Sequence, residues 1–140
     1  MDNNLVNGLR VKDIYFKSFK FNQLRGVNGN IKLDIKHKFE LAKSNDRKNV
    51  KMTIKTLITT SDMRLDLDIE TVGVFEVDDN ENMNENYPQF MVNTLYPFLR
   101  SQIQLMTTQP GLLPIMLPIG TPLINKEPIL KLESDDSIKA

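Results

Sequence analysis

The 140-residue chain has no cysteine and a single histidine, His37. Neither a disulfide framework nor a thiolate metal site can be built from it, and nothing in it favours an oxidising compartment. It has no proline before Pro88, although seven occur from there on. Proline cannot donate to a strand ladder, so the first half suits a continuous sheet and the second calls for helix plus irregular chain. It has no long hydrophobic run. The most apolar stretch, Gly111–Ile119, is broken by Pro114 and Pro118 and is too short to span a bilayer. Residues 1–8 are mostly polar and lack the apolar segment of a signal peptide. A cytoplasmic location without membrane insertion is the expectation. There is also no net charge, since 18 basic side chains balance 18 acidic ones.

What is present is a chain of one-domain size, long enough to bury about two-thirds of its unfolded surface. Its charges are segregated. Residues 1–60 carry 13 basic and 5 acidic side chains, while residues 61–90 carry 1 basic and 9 acidic. The simplest use of such a dipolar chain is pairing of the two regions across a sheet. Basic residues without aromatic interleaving or a known motif give no support for nucleic-acid binding.

Ile31, Leu33, Ile35, His37, Phe39 and Leu41 alternate with Lys32, Asp34, Lys36, Lys38 and Glu40. This period of two predicts a strand with one dry and one wet face. Val50, Met52, Ile54 and Ile58 repeat it, as do Met63, Leu65, Leu67 and Ile69 opposite Arg64, Asp66, Asp68 and Glu70. Beyond Glu70 the apolar positions move to Val72 and Val74, which predicts a bulge or bend near Gly73. An earlier strand lies around Val11 to Phe19. Short polar links at 44–49 and 60–62 make the last three strands a meander. The longer link from Lys20 to Asn30 leaves room to cross over, and an acidic, Asn-rich loop occupies 78–86.

Pro88 precedes a helix predicted from about Gln89 to Thr108, with Val92, Leu95, Leu99, Ile103 and Met106 along one stripe. Met91, Phe98 and Leu105 widen its apolar surface beyond what one sheet covers. Pro97 should kink it or restart it, and Pro110-Gly111 should end it. The fold class is therefore α+β, a four-stranded antiparallel meander sheet followed by a long, proline-kinked helix. One domain is expected over residues 1–124, followed by a charged, flexible tail over 125–140.

No catalytic constellation is visible. His37 alone could serve a nucleophilic triad, and its core-facing parity reads as a structural histidine. A zinc site lacks ligands, and no glycine-rich phosphate loop occurs. Asp66 and Asp68 lie on a wet strand face, where carboxylates stay ionised and make contacts rather than transfer protons. The reading is a protein without enzymatic activity, cofactor or metal that works through surfaces.

Leu95-Tyr96-Pro97-Phe98-Leu99-Arg100, followed by Ile103, Met106 and an apolar proline-rich run, resembles the long helix of the SecB export chaperones. Lys12-Asp13-Ile14-Tyr15-Phe16 resembles that family's first strand, and Gly73-Val74-Phe75 the end of its fourth. The resemblance covers roughly residues 9–120. It implies an ATP-independent holdase for unfolded or nascent polypeptides that serves protein export. It also implies a homotetramer, a dimer of dimers, with its helices between two eight-stranded sheets. Candidates for the client grooves it implies are Phe19, Phe21, Leu24, Phe90, Phe98, Leu112, Leu113, Ile115, Met116 and Leu117, with simple core packing the equal alternative for each. The methionines Met52, Met63, Met91, Met106 and Met116 could lend adaptability, with core filling preferred for Met52 and Met63. Asp13 and Asp68 match acidic positions of the sheet face on which the family docks the SecA translocase motor; Asp66, counted with them as a candidate for that face, stands at a position that is apolar in the family. The sequence departs from the family in its Lys17, in its lysine-rich second and third strands, and in lacking a recognisable motor-binding tail. Those departures suit an alternative, service as the dedicated chaperone of an antitoxin in a toxin–antitoxin system. From the residues alone, a small-ligand module and an adaptor protein also remain open.

Overall fold

The computed structural model describes residues 9–24, 32–45, 48–77, 87–120, 122 and 130–132. Its elements are β1 (Leu9–Gln23), β2 (Leu33–Lys43), β3 (Asn49–Thr60), β4 (Leu65–Val77), α1 (Tyr87–Thr107) and β5 (Leu130–Leu132). The first four strands form an antiparallel sheet in the order β1-β4-β3-β2. The α+β architecture read from the sequence is present. The meander β2-β3-β4 is as expected, and β1 and β2 are not neighbours, as the long connection between them requires. One element is additional: β5 pairs parallel with β2, where the sequence pattern predicts only a flexible tail. The rest of the tail, the loop at 78–86, Ile31 and the link residues 25–30 lie outside the described residues.

The sheet buries one face. Val50, Met52, Ile54 and Ile58 of β3 and Leu65, Leu67, Ile69 and Phe75 of β4 are fully buried there. Each such side chain contributes about 1.5–3 kcal/mol relative to exposure. β3 and β4 run in unbroken register from Asn49↔Glu76 to Thr59↔Asp66. The bulge expected near Gly73 is therefore not in β4. Thr71 and Gly73 keep the inward phase although they are small, and Val72 and Val74 belong to the outer face. The irregularities are in β1 instead, at Val11/Asp13 and Phe16/Ser18. Each inserts one residue, Lys12 or Lys17, and turns the alternation over. As a result Ile14 and Phe16, then Phe19 and Phe21, all pack against the core.

Helix and sheet approach closely at Gly73. A Cβ there would stand 2.5 Å from Leu95 Cδ2 and 2.8 Å from Phe75 Cε1. Only glycine admits the helix at this depth. The helix buries Met91, Val92, Leu95, Tyr96, Leu99, Ile103 and Thr107. The stripe thus ends at Thr107, and Met106, assigned to it from spacing, is exposed. Pro88 sits in the first turn rather than ahead of it, where its missing N–H costs nothing. The helix does not restart at Pro97 but runs through it. Asn93, whose carbonyl loses its partner there, is exposed like Pro97, so water can take the bond. Phe98 and Leu105, one heptad apart, remain 51% and 64% exposed on the side away from the sheet.

Two connections are explicit. Thr60 Oγ1 donates to Asp62 Oδ1 at 2.7 Å and accepts from Leu65 N at 3.2 Å. Met63, read from the sequence as a core strand residue, sits in this turn with φ +60° and is exposed. After the helix, Gln109-Pro110-Gly111-Leu112 closes with Leu112 N donating to Gln109 O at 3.1 Å and Gly111 at φ +79°. This is the arrangement of a type II turn, with proline second and glycine third.

The outer face carries the charge. The acidic row of β4 lies between the basic residues of β1 and β3, with Lys20 opposite Asp68 and Lys55 opposite Glu70. Ion pairs join Arg10 to Glu76, Lys17 to Glu70 at 4.0 Å and Lys55 to Glu40 at 2.9 Å. The hydrogen bond that Lys55 donates to the Glu40 carboxylate raises the Lys55 pKa above its ordinary value. The dipolar sequence is thus folded into alternating rows of opposite sign.

Candidate functional site

The apolar run after the helix is an extended strap laid back along it. Its alternation is that of extended chain: Ile115 and Leu117 are buried, while Pro114, Met116 and Pro118 are exposed. Among the described residues its backbone is bonded by side chains, mostly those of the helix. Thr107 Oγ1 accepts from Ile115 N at 2.8 Å while donating to Ile103 O at 2.7 Å. Arg100 Nε donates to Leu117 O at 2.9 Å, Tyr96 Oη to Pro118 O at 2.8 Å and Gln89 Nε2 to Pro122 O at 3.0 Å. Strap and helix therefore run in opposite directions. At the strap's start Leu113 N donates to Gln23 Oε1 at 2.7 Å, and Gln23 Nε2 reaches Leu113 O at 3.4 Å. The strap prolines bring no N–H that would need a partner.

This arrangement gives four residues of the Leu95–Arg100 stretch a physical task. Leu95 lies on Gly73, Leu99 fills the core, and Tyr96 and Arg100 hold the strap. Burial pushes the Tyr96 phenol up, so it stays a donor. Phe98 is left facing outward. His37 meets Tyr96 edge-on at 6.2 Å, and its Nδ1 lies 2.8 Å from Thr56 Oγ1. It is half-buried, with its pKa pushed below the ordinary value by burial, in keeping with a structural histidine.

The residues expected to line a groove divide into three sets. Ile115 and Leu117 are core residues in this structure and offer no accessible wall, because the strap turns them toward the helix. Phe19, Phe21, Phe90, Leu112 and Leu113 are half-buried, and Phe19 and Phe21 meet edge-to-face at 6.5 Å. Phe98, Met116 and Leu24 are exposed, as are Leu105 and Ile119, the last at 83%. The Gln23–Leu113 bonds bring the end of β1, with Phe21 and Leu24, beside the start of the strap. Phe21 thus belongs to a strand end rather than to the link. Leu105 and Ile119 were not among the groove residues read from the sequence, although both are apolar and lie just beside that set. Gln23, Gln89 and Thr107, which hold the strap, carry no periodic signal at all.

Asp13, Asp66 and Asp68 all lie on the outer sheet face, Asp13 and Asp68 exposed and Asp66 half-buried. They do not form one patch. Asp13 is registered on Val74 and Lys20 on Asp68, which places Asp13 about 20 Å along the sheet from Asp68. Among the described residues no group of three or more His, Cys, Asp or Glu side chains could hold a metal ion. No helix among them is long and apolar enough to cross a membrane.

No protein-family model matches the chain, and no curated protein matches it in sequence. Among solved structures it is similar to the Mycobacterium tuberculosis SecB-like chaperone Rv1957, determined in complex with a ChAD peptide from the Rv1956 HigA1 antitoxin. The TM-score is 0.64 at 15% sequence identity, over 81% of this chain and 88% of that one. The four-stranded antiparallel sheet with one helix is consistent with that neighbour, and this chain has a SecB-like fold.

Proposed function

We propose that this chain is an ATP-independent holdase that binds non-native polypeptides through the apolar surface of its helix and strap. The observation that carries the reading is the exposure of Phe98, Leu105, Met116 and Ile119 on a SecB-like fold. Large apolar side chains grouped on two adjoining elements mark a binding surface. Two of them are methionine or β-branched, and a surface of that kind recognises clients by apolar burial rather than by sequence. Phe98 and Leu105 on the outer helix face also suit the helix-to-helix contact of a tetramer. The proposal includes a cytoplasmic address and no chemical step.

Two clienteles are compatible with this surface, and one observation favours the narrower. The similar mycobacterial chaperone was solved with an antitoxin peptide. The outer face here offers interlaced charges, with Glu70 and Glu76 already paired to Lys17 and Arg10, rather than the open acidic field that docking on SecA calls for. Service to an antitoxin is therefore the reading to test beside export.

The test is fluorescence anisotropy of labelled lactalbumin, reduced and carboxymethylated or native, titrated with this protein. Binding of the unfolded form alone is expected. Equal binding of both forms, or of neither, sinks the general holdase. An antitoxin encoded beside this chain, tested the same way, separates a dedicated chaperone from an export factor.

A further inference from the structure

The chain has no cysteine, so its seven methionines carry all of its sulfur. A thioether is oxidised where an oxidant can reach it, and the fold sorts these residues sharply. Met52 and Met91 are fully buried, while Met63, Met106 and Met116 are exposed. Met63 sits in the turn between β3 and β4. Met106, 38% exposed, and Met116, 59% exposed, belong to the helix and the strap, the two elements of the client surface. Met1 and Met83 lie outside the described residues.

Both surface methionines are presented by clamped backbone. Thr107, the residue after Met106, is fully buried, and its Oγ1 accepts from Ile115 N, the residue before Met116, at 2.8 Å. On the other side of Met116, Leu117 O accepts from Arg100 Nε at 2.9 Å. Ile115 and Leu117 are buried. Extended chain alternates its side chains, so Met116 between them points outward and is held there. One hydrogen bond thus fixes the helix–strap junction, with a methionine next in sequence to each of its partners.

We propose that Met106 and Met116 are oxidation sites that switch the client surface off: peroxide converts their thioethers to sulfoxides, and polypeptide is released until the sulfoxides are reduced. The inference rests on the holdase reading and deepens it by naming how that surface is regulated. In the forward step the sulfur attacks one oxygen of hydrogen peroxide. An S–O bond forms, the O–O bond breaks and water leaves; the sulfur gives up two electrons and the peroxide takes them. In the reverse step a sulfoxide reductase draws on two thiols, which become a disulfide while the oxygen leaves as water. The thioether is apolar, flexible and polarizable, and so adapts to many clients. The sulfoxide is polar, and burying it against an apolar client without a hydrogen bond is costly. Because Met52 and Met91 are shielded, the same dose of oxidant leaves the core packing as it was.

The test treats the full chain with hydrogen peroxide, removes the peroxide, and titrates labelled, reduced and carboxymethylated lactalbumin by fluorescence anisotropy. Peptide mass spectrometry should find one added oxygen at Met106 and at Met116, with Met52 and Met91 unmodified. Affinity should fall about tenfold or more, the factor that burial of one methionine side chain carries. It should return after treatment with the two sulfoxide reductases, one for each epimer. The comparison is then made within each variant, as affinity after oxidation over affinity before. In full-length M106L/M116L that ratio should stay near one. In M63L, which removes an exposed methionine from a turn, it should fall as in wild type. Met1 and Met83 remain in every variant and cancel. A ratio that still falls in M106L/M116L, or that stays near one in wild type with both residues oxidised, overturns the switch while leaving the holdase standing. Resistance of both sulfurs to peroxide overturns it as well. If wild type binds no unfolded lactalbumin before oxidation, the holdase reading falls first and takes this one with it.

Discussion

Gly73 shows how much of the fold can hang on one missing atom. The Cβ of alanine would meet Leu95 Cδ2 at 2.5 Å and Phe75 Cε1 at 2.8 Å, and both side chains are fully buried, so one must shift within a packed core. Gly73→Ala should lower stability by about 1–3 kcal/mol, the usual cost of overpacking a core. In urea titrations, Leu95→Ala added to it should cost less than the sum of the two single changes, since each relieves the other. His37 supplies the pH dependence. Its folded pKa lies below the ordinary 6.5, so the unfolded chain takes up the proton first. The stability it contributes is present above about pH 6.5 and is lost as pH falls through the folded value. The urea midpoint of wild type should therefore drop more between pH 7 and 5 than that of His37→Gln; equal drops would assign the effect elsewhere. The role of His37 was legible from parity alone. That of Gly73 was misread, because a glycine between two valines looks like a bend. The contact that explains it comes from a helix more than twenty residues later.

At the level of elements, two buried threonines, Thr107 at the end of the helix and Thr71 in β4, make opposite predictions for one substitution. Thr107 Oγ1 receives the buried Ile115 N–H. Thr107→Val leaves that donor without a partner and should cost about 1–3 kcal/mol, with faster hydrogen exchange at Ile115. Thr71 Oγ1 is buried without a hydrogen-bond partner. Thr71→Val keeps the shape and removes the desolvation cost, so urea titration should show it neutral or stabilising. The strands and the helix were legible because each carries its own periodicity. The bulges of β1 were not, because the inserted Lys12 and Lys17 look like any wet-face residue. The strap could be recognised as apolar and irregular, but its docking depends on single polar side chains far away in sequence, such as Gln23 and Gln89. This explains why groove wall and core both stay open for Ile115 and Leu117 at the level of sequence: a run of apolar residues shows no inside or outside until its partner is known.

For the whole molecule, the fold was within reach of the sequence, and the exposed surface only partly. Which apolar side chains stay open depends on what one sheet, one helix and one strap leave uncovered, and that is settled only by assembly of all three. The same assembly decides the electrostatics. A chain split into a basic and an acidic region folds so that the two interlock on one sheet face. At a few ångströms the rows are strong, but beyond about a Debye length of 10 Å they cancel. Among the described residues such rows cast little long-range field, so this sheet face neither draws in charged chains nor turns them away. Encounter with a polypeptide is then governed by diffusion and by what is greasy and extended. Association rates measured by stopped flow should change little between low and high salt, whether the incoming chain is acidic or basic. A steep salt dependence would mean that the rows are not interlaced in solution.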